Sequence, residues 1–259
     1  MKQIKAKVVI DRYAGVTMGS VRRLLKRANV KVASRGYDVA IIVGGDGTFL
    51  KQSVRHLNVP IIPVMKVIAR PEGGDKIRKY RLRELPSVMG RMASGDYKVI
   101  SEPLLEAEYG GRRYLSAGDF YVERGNIKHA IRYSASIREG GRTIRTSAVS
   151  NGFVVTTPIG STGYYAYVEM LARRQARRIR GMGFAHILPA NVNDTINGAV
   201  VGYKVRRSML PTTRITVVMR RGSDQYLYGI PSRRRGLRIG HGKKISFRLL
   251  RDRLRIISV

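Results

Sequence analysis

Apolar and polar positions follow two rhythms along this chain, and the rhythm changes near residue 96. In the first part, β-branched runs alternate with stretches of helical spacing. Gln3 to Ile10 reads as a strand, followed by a turn at Gly15 and a helix with Val21, Leu24, Leu25 and Ala28 on one face and basic residues on the other. A short strand near Val30 to Ala33 leads to Asp38 and the run Val39-Ala-Ile-Ile-Val43. That run is too apolar to face water on either side and reads as a buried parallel strand. Residues 47–57 predict a helix, 60–67 the next strand, and 81–94 a helix with Leu82, Leu85, Val88 and Met89 inward. Strands alternating with helices indicate an α/β domain over residues 1–96.

From residue 97 the segments become short and alternating: Tyr97 to Ile100, Leu104 to Tyr109, Tyr114, Phe120 to Val122 and Ala130 to Ile137, then 152–157, 214–219 and 245–257. Gly110-Gly111 and Gly140-Gly141 supply turn signals between them, which predicts an antiparallel, β-rich domain over 97–235. No internal repeat, low-complexity tract or Pro/Ser linker marks the boundary.

With 259 residues, 43% of them hydrophobic, the chain is long enough to bury two cores of ordinary size. The longest apolar runs are far too short to span a bilayer, so no membrane association is expected. The absence of cysteine excludes disulfides, thiolate metal sites and a cysteine nucleophile, and suits a reducing cytoplasm. Charge changes the picture more. Fifty Lys and Arg, 36 of them arginine, face 17 Asp and Glu for a net charge of +33, a surface that attracts polyanions. The basic runs are Arg173 to Arg180 and Arg233 to Arg235. They read as solvated faces, with a track for polyphosphate or RNA backbone as the alternative. His56, His129, His186 and His241 lack metal-ligand spacing, so no resident metal site is expected. Ser161 lacks the partners of a hydrolytic triad.

Two segments carry candidate chemistry. In Val39 to Leu50, a buried strand ends in Gly44-Gly45-Asp46-Gly47-Thr48 and a helix begins. Glycines remove the Cβ atoms that would block phosphate, and the helix N-terminus adds partial positive charge. Asp46 would repel such an anion unless it takes a proton from a hydroxyl or holds a cation, so general base is the role that accounts for it. The plainer alternative is that Asp46 caps the helix. The second segment, Ser150 to Tyr165, delivers Thr157-Pro-Ile-Gly-Ser-Thr-Gly-Tyr164 from another strand. Ser161, Thr162 and the glycine backbone offer donors, and Tyr164 offers a ring. Alone, it would also read as an ordinary turn.

Together, in this order and separation, the two motifs resemble those of the NAD kinase family, GGDGT and a later TPTGSTAY. The first is matched in full, with Phe49, Leu50 and Lys51 agreeing beyond it, and the second reads TPIGSTGY at 157–164. The resemblance implies an α/β N-terminal domain plus a β-rich C-terminal domain, with residues 236–259 returning to the first. It implies that Asp46 takes the proton of the adenosine ribose 2′-hydroxyl of NAD as that oxygen attacks ATP or polyphosphate, with Mg2+ on the donor. By the same resemblance, Gly45, Gly47, Thr48, Phe49 and Lys51 line the nucleotide site from the first motif. Asp119, Asn151, Thr162, Gly163, Tyr164 and Tyr167 do so from the later segments. A homodimer or homotetramer is implied by resemblance only.

The chain departs from the family pattern at several positions. Gly118-Asp119 replaces an asparagine followed by an acid, Asn151 replaces an aspartate, and Tyr228-Gly229 replaces an aspartate-glycine pair. Val64 to Arg70, including Lys66, lacks the family's glycine, asparagine and glycine-phenylalanine pattern. These losses fall on the side that would hold the dinucleotide. They leave open a kinase for another nucleoside or sugar, or a kinase-fold protein that binds RNA or polyphosphate without NAD kinase activity.

Overall fold

The computed structural model describes residues 3–65, 79–139, 142–170, 181–196, 199–200, 214–221, 224–233 and 235–259. The segment from Lys66 to Arg70, the arginine run at 173–180 and Arg234 lie outside the described residues. The chain forms two compact units, residues 1–102 with 252–259, and residues 103–251.

The first unit is a parallel sheet with helices. Its strands are β1 (Lys5–Ile10), β2 (Lys31–Val32), β3 (Val39–Val43), β4 (Ile61–Met65) and β5 (Tyr80–Arg81). Parallel pairing gives the order β2-β1-β3-β4-β5. All five residues of β3 are buried because the strand has neighbours on both edges and packed side chains on both faces. Helix α1 (Met18–Arg27) begins where the Thr17 hydroxyl accepts the Ser20 amide at 3.2 Å, and it turns Val21 and Leu25 into the core. Lys26 and Arg27 sit in its last turn, where the helix dipole favours them, and Asn29 takes the left-handed conformation that ends it. Helix α2 (Asp46–Ser53) follows β3 directly. The stretch expected to be a single helix over 81–94 is a 3-10 turn, Leu82–Glu84, followed by α3 (Leu85–Ala93). Pro86 explains the break: its missing N–H is harmless in the first turn of a helix and costly further in.

The second unit is a β-sandwich. Its remaining strands in chain order are β6 (Lys98–Tyr109), β7 (Arg112–Ser116), β8 (Asp119–Arg124), β9 (Ile131–Glu139), β10 (Arg142–Ser150), β11 (Gly152–Thr156), β12 (Gly183–Ile187), β13 (Asn191–Ile196), β14 (Ala199–Val200), β15 (Arg214–Arg221), β16 (Gln225–Tyr228), β17 (Leu237–Ile239) and β18 (Lys244–Ser258). One layer runs β14-β13-β10-β9-β15-β18 and the other β12-β11-β8-β16-β17. Phe120, Val122, Phe153, Val155 and Leu227 from the second layer pack with Tyr133, Ile137, Ile215, Val217 and Phe247 from the first in one buried core. A short helix, α4 (Tyr164–Val168), follows β11 after a 3-10 turn at Gly160–Thr162. The chain crosses between units at β6 and within β18, whose Lys244 to Arg248 pair with β15 and whose Ile256 pairs with Ile61 of β4.

Candidate functional site

In the first unit, the carboxyl ends of the parallel strands meet at Gly44 to Thr48. Backbone bonds pin this corner: the Asp11 amide donates to Val43 O and the Gly44 amide to Val64 O, both at 2.9 Å. The Thr48 hydroxyl donates to Asp11 Oδ2, and the Tyr13 amide donates to Asp11 Oδ1 at 2.9 Å. These bonds, the Thr48 contact first, hold the Asp11 carboxyl below its ordinary range. The first helical turn is thus tied to the end of β1.

The glycines divide by what a side chain would meet. At Gly44 an added Cβ would lie 2.9 Å from Thr48 Cβ and 3.0 Å from Asp11 Cβ, so glycine is required by packing. At Gly45 and Gly47 it would meet nothing within 4 Å among the described residues, so none of their atoms requires those glycines. They leave open space over the start of α2, where backbone N–H groups and the helix dipole favour an anion. The N-cap is Gly45, and no side chain caps the helix. Asp46 therefore has no capping role. Its side chain is 59% exposed and pairs with the ammonium of Lys79, which is only 15% exposed. The negative charge of Asp46 in the glycine turn is matched here by a cation from a distant segment. Lys51 is exposed in the last turn of α2, and Phe49 is buried behind the turn.

In the second unit, Thr157 to Tyr164 folds against the β7–β8 turn. The Thr157 hydroxyl donates to Ala117 O at 2.6 Å, its amide donates to Gly118 O at 3.1 Å, and the Gly160 amide donates to the Thr157 hydroxyl at 3.0 Å. Ser161, expected to offer a donor outward, is fully buried and donates to Pro158 O at 2.7 Å. It shapes the turn instead. Thr162 and Gly163 remain accessible, and Tyr167 is 82% exposed.

Asp119 lies at the centre of this cluster. Its Oδ1 accepts from the Thr156 hydroxyl and stands where a Cβ on Gly160 would fall, and its Oδ2 is 3.7 Å from the position of a Gly163 Cβ. Gly229 has φ +87° and packs onto the backbone of Asp119, which no residue with a Cβ could do. Burial raises the Asp119 carboxyl from its ordinary value of 3.8 to about 7, against the opposing effect of the Thr156 bond. An aromatic row borders it: Tyr121 stacks on Tyr228 at 5.2 Å between centroids and meets Tyr164 edge-on at 5.4 Å. The Tyr164 hydroxyl donates to Glu123 at 2.6 Å, and burial followed by that carboxylate pushes the phenol upward.

Asn151 is not brought to this cluster. It precedes β11, with its carbonyl accepting the Arg124 amide at 3.1 Å, whereas Asp119 pairs with Thr156 at the strand's other end. Five residues of extended chain separate the two ends by roughly 16 Å. Sequence reasoning missed Asp11, Lys79, Tyr121 and Glu123. Asp11 carried a signal, because an acid just after a parallel strand lies at the carboxyl edge where such sheets bind ligands. The others join the two motifs only through tertiary pairing. Among the described residues, no group of three or more His, Asp or Glu could hold a metal ion. None of the helices described is long and apolar enough to cross a membrane.

No family model matches the chain. It is similar to an NAD kinase of Clostridium botulinum (strain Loch Maree / Type A3), with 27% identity over 137 residues, 51% of this chain and 46% of the relative. It is also similar to NAD kinase 1 of Trichormus variabilis, with 29% identity over 143 residues and the same coverage. The chain spans about half the length of the curated relatives it matches. Two solved structures share its fold along 98% of the chain. Yeast NADH kinase complexed with NADH has a TM-score of 0.71 and 16% identity, with 82% of that chain covered. An NAD kinase from Archaeoglobus fulgidus in complex with ATP has a TM-score of 0.63 and 17% identity, with 92% covered.

Proposed function

We propose that this chain, a diverged member of the NAD kinase family, transfers a phosphoryl group to the adenosine ribose 2′-hydroxyl of NAD and yields NADP. The observation that carries this reading is the exposed Asp46 carboxylate in a glycine turn at a helix start, paired with Lys79. Phosphoryl transfer needs positioning, charge neutralisation and an acceptor for the hydroxyl proton. Asp46 accepts that proton. The ribose oxygen forms its bond to the γ-phosphorus as the bond to the bridging oxygen breaks, and ADP leaves with that oxygen.

Lys79 and the amides around Gly45 and Gly47 offset the phosphate charge that Asp46 alone would repel. Thr48 fixes the turn through Asp11, Lys51 adds positive charge along α2, and Phe49 supports the turn from within. In the second unit, Asp119, Thr162, Gly163, Tyr164 and Tyr167 border the nucleoside. Asn151, just before β11, stands at the opposite end of that strand from Asp119 and does not join them within one unit.

Magnesium would be carried on the donor phosphates, as the family resemblance implies, and would neutralise their charge. The donor is ATP or polyphosphate; a homodimer or homotetramer is implied by the family resemblance, and a cytoplasmic location suits the cysteine-free sequence. The test is incubation of purified chain with NAD and either magnesium ATP or polyphosphate, with NADP read by an NADP-specific cycling enzyme. NADP formation is the expected result. No NADP with any donor, together with salt-sensitive RNA binding, would replace this reading with a polyanion-binding one.

A further inference from the structure

The β-sandwich unit holds a cavity of about 730 Å³ at the end of the strands away from Asp119, lined by Lys128, His129, Arg132, Arg221, Asp224 and His241 among others. Its size falls within the range that takes a nucleotide-sized ligand. The lining comes from separate stretches of chain that turns and pairings bring together. The Gly125 amide donates to Asp224 O at 2.7 Å, which closes the loop carrying Lys128 and His129 over the start of β16. Gly242, with φ +70°, donates its amide to Met219 O at 2.9 Å and sets His241 at the rim.

Two arginines make this cavity unusual. Arg221 of β15 is the register partner of Arg132 of β9, and the ladder shifts between Met219 and Arg221 as a β-bulge. Like charges directly opposite each other in an antiparallel pair are destabilising, and bulges re-aim side chains at functional edges. Among the described residues, Arg132, Arg221, Lys128, His129 and His241 carry no side-chain hydrogen bond or ion pair. Asp224, the one acid among the described lining residues, is engaged by the Tyr226 hydroxyl. Two arginines at paired register positions in the lining of one cavity are what a multiply charged anion would bridge, since each guanidinium offers paired donors to phosphate oxygens.

We infer that this cavity is a second anion site that binds an oligophosphate group between Arg132 and Arg221, separate from the turn at Gly44 to Thr48. The ligand is inorganic oligophosphate or the phosphate chain of a nucleotide. Calorimetric titration of the full chain at physiological ionic strength tests it, with sodium tripolyphosphate in one arm and ATP in the other.

The parent protein is expected to show two binding steps, and Arg132→Gln/Arg221→Gln is expected to weaken one of them at least about tenfold. The charge-matched Arg22→Gln/Arg23→Gln on α1 is expected to change either step less than about twofold. Tighter binding of ATP than of tripolyphosphate assigns a nucleotide ligand; equal or weaker binding assigns inorganic oligophosphate. Equal losses in the two double variants, or an unchanged isotherm in Arg132→Gln/Arg221→Gln, overturns the site. A separate check needs no ligand. Relief of the facing charges should leave Arg132→Gln melting no lower than the parent, and a lower melting temperature contradicts the repulsion on which the inference rests.

Discussion

Replacing Asp119 by asparagine should change how stability depends on pH. The carboxyl is raised from 3.8 to about 7 in the folded protein, mainly by burial. Between those values the folded state holds a proton that the unfolded chain has lost. Stability therefore falls as pH rises from about 4 to about 7 and levels off above. The rise corresponds to a ceiling of about 4 kcal/mol, which water reaching a partly buried group lowers to about 2–4 kcal/mol. The amide of the Asp119→Asn variant would keep an oxygen that accepts the Thr156 hydroxyl and would not titrate, so the two proteins differ chiefly in this ionisation. Urea unfolding of both, followed by circular dichroism at pH 4 and pH 8, isolates the effect because other groups cancel in the comparison. The parent should lose about 2–4 kcal/mol relative to Asp119→Asn between the two pH values. Stability differences that agree at both pH values within about 0.5 kcal/mol would refute the assignment of a proton to folded Asp119 near neutrality.

Other consequences concern the first unit. Gly44→Ala should cost about 1–3 kcal/mol in chemical denaturation, because its Cβ would press on Thr48 and Asp11. Gly45→Ala and Gly47→Ala should fold with stability within about 1 kcal/mol of the parent while losing NADP formation, since their Cβ atoms would enter space open to ligand. An unchanged rate in both would show that no phosphate uses that space. Lys79→Met should raise the KM for the phosphoryl donor about tenfold or more. A KM that stays the same would confine Lys79 to pairing with Asp46 in the absence of donor.

Much of this was legible in the sequence where a local pattern has one physical outcome. Five consecutive apolar β-branched or small residues at 39–43 can only be a strand covered on both faces, and the structure buries all five. The glycine turn after it announced a helix start, and the periodicity of α1 named its buried Val21 and Leu25. Legibility ended where tertiary pairing decides. The two segments expected at Tyr97 to Ile100 and Leu104 to Tyr109 merge into one strand, Lys98–Tyr109, because Pro103 lies outside the Leu105 to Tyr109 ladder with β7 and its missing N–H interrupts nothing there. The short strands β12 and β16 carry no strong alternation of their own and form because β11 and β8 pair with them. Within the site, composition could not distinguish the Ser161 hydroxyl, turned into its own loop, from Thr162 beside it, which stays accessible. Nor could spacing reveal that Lys79 would reach Asp46, or that Asn151 and Thr156 stand at opposite ends of one strand.

The proposed role of Asp46 is to receive the proton of the attacking hydroxyl. Single-turnover formation of NADP by the parent and by Asp46→Asn, at saturating NAD and magnesium ATP, tests it directly. The rate in Asp46→Asn is expected to fall by about 10²- to 10⁴-fold with NAD binding retained. A rate within about twofold of the parent would contradict it.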